Sequence, residues 1–231
     1  AGSPSRPWLG EYGPHLLAKP PLYSCVLAMC HGVGIPLRTF EYALLCAGAL
    51  LVPFAFRIRL NRSPVLFIGC VLMNAFNPFL PMQPRIIRNN LCSTLTLVCL
   101  TALMAVSLRA TKARRLPGGW LAAGALALGC ALVTREECAW LLCPAAVLAA
   151  YLLVTVGLRK SWLYLAGFAA IASLPTLVVS ALNDQSYGYF GSSLRADKEF
   201  AACYKTLARS ASHELPPFVV SDAETREELY A

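Results

Sequence analysis

Long apolar runs constrain the fold of this chain more than any other feature of its sequence. A helix needs roughly 17 to 25 apolar residues to cross the hydrocarbon core of a bilayer, and the sequence contains about six runs of that kind. They cover residues 38–56, 64–82, 91–108, 117–134, 138–157 and 161–182. Lipid offers no partner to an unpaired backbone group, so each run is predicted to be a helix. The predicted fold class is all-α, a polytopic membrane protein.

The composition supports this prediction. Of the 231 residues, 57% are hydrophobic and only 14% are charged, and the mean hydropathy is +0.57. Such a chain has too little polar surface to cover a soluble globule.

The basic residues between the runs predict an orientation. Most of them lie in alternate connections: Arg57, Arg59, Arg62, Arg109, Lys112, Arg114, Arg115, Arg159 and Lys160. By the positive-inside rule these connections face the cytoplasm. They also account for much of the net charge of +8. No basic run is interleaved with aromatic residues, so the expected partner is anionic membrane lipid and not nucleic acid.

The apolar segment 20–36 does not fit this alternation. It is short, and it is interrupted by Gly32, Gly34 and Pro36. If it crossed the membrane, every later connection would face the opposite side. We expect it to lie along the outer interface as an amphipathic helix, with Tyr23 and His31 at headgroup level. The predicted domains are a first external loop at 1–37, a transmembrane domain at 38–182 and the start of an external domain at 183–231.

The cysteines and histidines do not form a metal-binding pattern. Ten cysteines occur without any C-x-x-C, and the three histidines lack ligand spacing. Most cysteines are expected to be small buried apolar residues. Linking Cys138 to Cys143 would require backbone distortion and is not favoured.

Cations on the predicted outer side suit a phosphate. Arg85 and Arg88 are three residues apart, so they share one helical face and can point at one anion. Lys19 and Arg135 lie on the same side. The alternative is ordinary contact with lipid headgroups.

Carboxylates and amides mark the same side. Between Glu11 and Asp184 the acidic residues are Glu41, Glu136 and Glu137. Glu136 and Glu137 either pair with Arg135 at a cavity or are simply solvated in an interfacial turn. The amides of Asn74, Asn77, Asn89 and Asn90 can bind hydroxyl-rich ligands, although asparagines beside prolines also make turns.

Several segments together resemble a known superfamily. The sharpest is KPPLYS, and WLGEYG, NPFLP with RIIRNNL, LVTREECAWLLCP, SYGYF and EFAACYKTLAR accompany it in order. This set resembles bacterial members of the C-type membrane glycosyltransferases, the superfamily of aminoarabinose transferase and the protein O-mannosyltransferases. The resemblance implies a transferase that moves a sugar from a polyprenyl-phosphate donor to an envelope glycan, lipid or protein at the outer face of a bacterial inner membrane.

The resemblance implies a role for Lys19, and the charge and amide patterns above supply the other expected site residues. Lys19 matches the phosphate-contacting lysine of the family, and Arg85 and Arg88 are expected to bind the donor phosphate with it. The expected substrate cavity contains Tyr23, Asn89, Asn90, Arg135, Glu136 and Glu137. Some members use a divalent cation, so the cofactor is left open.

Two departures from the family pattern affect the expected activity. The catalytic aspartate of the family would precede Ala1, so the chain is expected to be an internal fragment that is inactive alone. Asn89 and Asn90 stand where many relatives carry an acidic residue, and an amide cannot take up a proton as a carboxylate does. Two other functions therefore stay open: a transporter segment, or a non-catalytic lipid-binding subunit of an envelope-assembly complex.

Overall fold

The structure is a computed structural model that describes residues 20–75, 89–110 and 117–193, with the side chain of Lys160 excepted. Seven α-helices make up most of these residues. They are α1 Leu22–Val33, α2 Leu37–Ala55, α3 Pro64–Ala75, α4 Asn89–Ala110, α5 Gly118–Thr134, α6 Leu142–Val156 and α7 Leu158–Tyr187. A 3-10 helix, Glu136–Leu141, leads into α6. These ranges contain no strand, which confirms the all-α prediction.

Within the described ranges, four segments are long and apolar enough to cross a membrane. They are Leu37–Ala55, Asn89–Ala110, Glu136–Val156 and Ser161–Tyr187. In the last two, only 17% and 11% of the most apolar window is buried by the rest of the protein. Leu163, for example, is 74% exposed. Helices that turn apolar side chains outward over their whole length require lipid around them, so the chain is a membrane protein.

The helices follow the predicted runs. Helix α3, described over 12 residues, and α5, with 17, are not among the four candidate spans, so the count of about six spans stays a prediction. Residues 76–82 of the second run lie outside the described residues. The last helix continues to Tyr187, beyond the predicted boundary at 182.

The buried core lies between the last four helices. Helix α5 packs against α4 and α7, and α6 packs against α4 and α7. Helix α2 packs against α3 and α4, and α1 contacts α2 and α5. The largest apolar cluster contains Cys99, Leu103, Val106, Leu128, Leu141, Leu148 and Leu152.

Two glycines let α5 approach its neighbours closely. A Cβ placed on Gly124 would lie 3.1 Å from the Cβ of Ala102 on α4. A Cβ placed on Gly129 would overlap the carbonyl oxygen of Ala172 on α7 and lie 2.9 Å from Cδ of Pro175. Small residues at such crossings are typical of helix packing in membranes.

The two ends of the bundle differ in chemistry. We call the basic end the one that carries Arg57, Arg59, Arg62, Arg109 and Arg159. There the Arg109 guanidinium donates hydrogen bonds to the carbonyl oxygens of Phe54 at 2.8 Å and Ala55 at 3.2 Å. It also lies 5.2 Å from the ring centroid of Trp120. Arg109 thus joins α2, α4 and α5, and it satisfies carbonyl groups at the carboxyl end of α2.

The opposite end is the polar end. It contains the starts of α2, α4 and α6, the end of α5 and the segment after α7. Its polar residues, whose contacts follow, are Tyr23, Glu41, Asn89, Asn90, Arg135, Glu136, Glu137 and Ser193.

Candidate functional site at the polar end

A buried carboxylate joins three helices at the polar end. Glu41 is only 5% exposed and lies one turn inside α2. One of its oxygens accepts a hydrogen bond from the Tyr23 hydroxyl of α1 at 3.3 Å, and the other accepts one from Nδ2 of Asn90 on α4 at 3.0 Å. A buried carboxylate is costly unless its oxygens are hydrogen-bonded. Tyr23 and Asn90 supply those bonds.

Tyr23 is held as a hydrogen-bond donor. Burial, and then the nearby Glu41 carboxylate, raise the pKa of Tyr23 to about 12. The phenol therefore stays protonated at physiological pH and donates to the carboxylate. This corrects the expectation that Tyr23 faces the headgroups: its ring is 5% exposed and packs inward, whereas His31 is exposed. A buried acceptor on α2 holds the phenol inside the bundle.

Arg135 links the end of α5 to the start of α4. It is the extended residue between Thr134 and the 3-10 helix. Its Nε donates to Oε2 of Glu137 at 2.7 Å, and its Nη1 donates to Oδ1 of Asn89. The ion pair lies at the surface and contributes about 1 kcal/mol or less to stability, so its main effect is to orient the guanidinium.

The segment after α7 folds back onto the same end. The left-handed Gly188, with a φ of 67°, ends α7. Beyond it, Ser193 is 1% exposed, and its hydroxyl donates to Oε1 of Glu136 at 2.6 Å. Asn183 donates to the Gly191 carbonyl at 2.6 Å, and the Tyr189 hydroxyl donates to the Ser193 carbonyl at 3.1 Å. The SYGYF segment is thus part of a packed turn over the carboxylate of Glu136.

A disulfide crosses the site. Cys92, in the first turn of α4, is bonded to Cys138 of the 3-10 helix. Cys143, whose link to Cys138 was not favoured, is a free, exposed thiol. Burial varies among the free cysteines: Cys99 is buried as expected, whereas Cys46 is exposed on α2.

This disulfide gives a direct prediction. Peptide mapping of the oxidised protein should recover the Cys92 and Cys138 peptides as one cross-linked species, and reduction should separate them. Cys143 serves as an internal control, because it should be alkylated with or without reductant. Separate alkylated Cys92 and Cys138 peptides from the unreduced protein would contradict the pairing.

The structure places the predicted cavity residues at the polar end in three separate contact groups. Tyr23 and Asn90 meet at Glu41, while Asn89 and Glu137 meet at Arg135. Glu136 and Glu137 have different partners: Glu136 accepts a hydrogen bond from Ser193, whereas Glu137 pairs with Arg135. Asn74 is not part of this set, because its amide donates to the Cys70 carbonyl within α3. The predicted phosphate-binding residues Lys19, Arg85 and Arg88, and also Asn77, lie outside the described residues.

Sequence reasoning missed the central role of Glu41. The sequence does contain a signal: Glu41 is the one carboxylate inside a predicted span before residue 136, and such carboxylates are usually paired or functional. Its partners are 18 and 49 residues away in sequence, so no local pattern identifies them.

The arrangement combines a fixed cation, two amides and carboxylates at one surface of an apolar bundle. Such a set can orient an anion and hydroxyl groups together. Among the residues described, no three His, Cys, Asp or Glu side chains are grouped to hold a metal ion.

Comparison of the chain with protein-family models, with curated proteins and with solved structures found no match.

Proposed function

We propose that this chain is part of a membrane glycosyltransferase that moves a sugar from a polyprenyl-phosphate donor to an acceptor at the polar end. One observation carries the proposal. Residues from separate segments, chosen from the sequence as a substrate site, converge there by hydrogen bonds around Glu41 and Arg135. The type of reaction is inferred from the resemblance of KPPLYS and the accompanying segments to the glycosyltransferase superfamily.

The proposed orientation has six spans, α2 to α7, with α1 at the outer interface. Two independent features support it. Arginines concentrate at the basic end, as expected of a cytoplasmic side. The Cys92–Cys138 disulfide lies at the polar end, and disulfides persist in oxidising compartments. We therefore propose that the polar end, and residues 183–231, face the outer side of a bacterial inner membrane.

The proposed reaction needs cations where phosphate leaves. As the bond from the anomeric carbon to the phosphate oxygen breaks, negative charge grows on that oxygen and the sugar becomes oxocarbenium-like. Lys19, Arg85 and Arg88 are proposed to bind the phosphate. The guanidinium of Arg135, already oriented by Glu137 and Asn89, is proposed to face the same substrate.

Glu41 is proposed as a positioning residue. Both of its oxygens accept hydrogen bonds, so it fixes the Asn90 amide and the Tyr23 phenol at the edge of the site.

Arg135 provides the test within the described site. In the full-length gene product, reconstituted with polyprenyl-phosphate-linked sugars, Arg135→Gln should lower kcat about 100-fold or more, the usual loss for one charge-stabilising group. Arg159→Gln at the basic end is the matched control and should leave kcat unchanged. Equal rates for Arg135→Gln and wild type would remove Arg135 from the site.

A further inference from the structure

A pocket of about 790 Å³ opens at the basic end, between the end of α2 and the start of α3. Its lining includes the rings of Phe54 and Phe67 and the side chains of Arg57, Arg59 and Arg62. The two rings meet edge to face, with centroids 5.8 Å apart and planes at 82°. One wall is thus aromatic and the rim carries guanidinium groups.

Among the described residues, no carboxylate pairs with the arginines of this pocket. The sequence has no Asp or Glu between Glu41 and Glu136. Glu41, Glu136 and Glu137 are all engaged at the polar end. Within the described ranges, the ion pair of the structure is that of Arg135 with Glu137, so none of the pocket arginines is neutralised there.

Arg109 makes the carboxyl end of α2 less unfavourable for a bound anion. The carboxyl end of a helix carries partial negative charge, which would repel an anion beside it. Arg109 donates to the carbonyls of Phe54 and Ala55 and so occupies those acceptors. Arg57 follows the end of α2 with a left-handed φ of 59°, and the Ile58 amide beyond it donates to the Pro53 carbonyl oxygen at 2.9 Å, so helix capping fixes the backbone that carries Arg57.

The surroundings of the pocket are apolar. Phe54, Phe56 and Leu60 are about half exposed around the arginines. In a membrane protein such side chains lie against lipid, and guanidinium groups next to them lie at headgroup level. A ligand with a phosphate and an adjoining apolar part fits both surfaces, whereas a fully water-soluble anion would leave the aromatic wall uncovered.

We propose that this pocket binds an anionic phospholipid, with the headgroup phosphate held by Arg57, Arg59 and Arg62 and the apolar part against Phe54 and Phe67. Guanidinium groups bind phosphate through paired charge-assisted hydrogen bonds. The site lies at the opposite end from the proposed transferase site and does not depend on that function.

The test measures lipid binding to the full-length protein in detergent by native mass spectrometry. Phosphatidylglycerol should bind, and phosphatidylcholine should bind at least about 10-fold more weakly. The triple variant Arg57→Gln/Arg59→Gln/Arg62→Gln should weaken phosphatidylglycerol binding about 100-fold. The matched control Arg159→Gln/Lys160→Gln removes charge from another connection at the same end and should change binding less than about fivefold.

Three results would overturn the proposal. Equal losses in the triple variant and the control would mean that net charge, not the pocket, attracts lipid. Unchanged binding in the triple variant would exclude these arginines. Inorganic phosphate binding that is as strong as phosphatidylglycerol binding, and lost in the same variant, would reassign the pocket to free phosphate. If the triple variant does not fold, Arg59→Gln alone, at an exposed position, should still weaken binding about fivefold.

Discussion

Lys19→Ala is expected to abolish sugar transfer, with a fall of at least about 1000-fold in kcat, while expression and membrane insertion stay nearly unchanged. Lys19 precedes Pro20 and Pro21, both of which are buried, and Tyr23 beyond them is bonded to Glu41. The chain next to Lys19 is therefore fixed against the polar end. In the proposed reaction, the Lys19 ammonium group would neutralise the phosphate oxygens as the donor bond breaks.

The control for this prediction is Lys19→Arg, which keeps the positive charge. It should retain part of the activity, because a guanidinium also binds phosphate but with a different geometry. Transfer and protein level are measured on the same membrane preparations. A Lys19→Ala protein that inserts normally and transfers sugar at the wild-type rate would show that Lys19 is an ordinary interface lysine.

Gly129→Ala is expected to weaken the packing of α5 on α7 severely. The new Cβ would overlap the Ala172 carbonyl oxygen and meet Cδ of Pro175 at 2.9 Å. Neither obstacle is the end of a flexible side chain, so the helices must separate. Overpacking of this kind costs about 1 to 3 kcal/mol, and a larger side chain such as Leu should cost more.

Gly167→Ala on α7 is the matched control, because a Cβ there meets nothing within 4 Å. It should be neutral or slightly stabilising, since alanine favours helix more than glycine does. The free energy of unfolding in detergent distinguishes the two variants. Equal stabilities would mean that α5 and α7 do not approach each other as closely as Gly129 indicates.

The helices could be predicted from sequence because run length and apolar composition act locally. The alternation of basic connections likewise predicts that those connections lie together at one end of the bundle. The last helix shows where this reasoning stops: α7 continues through polar residues to Tyr187, beyond the end of the apolar run at 182.

The partners within the site were beyond sequence reasoning because they are set by packing between distant segments. Glu41 meets Asn90 across 49 residues, and Cys92 meets Cys138 across 46. Tyr23 was placed at the headgroups because an amphipathic tyrosine usually lies there. The acceptor that draws it inward, Glu41, belongs to the next helix.

The most direct test of the central claim follows the fate of the sugar. Proteoliposomes containing the full-length gene product are given a polyprenyl-phosphate donor with a radiolabelled sugar and an envelope acceptor. The account predicts that label moves to the acceptor while polyprenyl phosphate is released in equal amount. Label that crosses the bilayer without a change of carrier would instead indicate a transporter, and binding of the donor without either event would indicate a non-catalytic subunit; both results would contradict the proposed transferase.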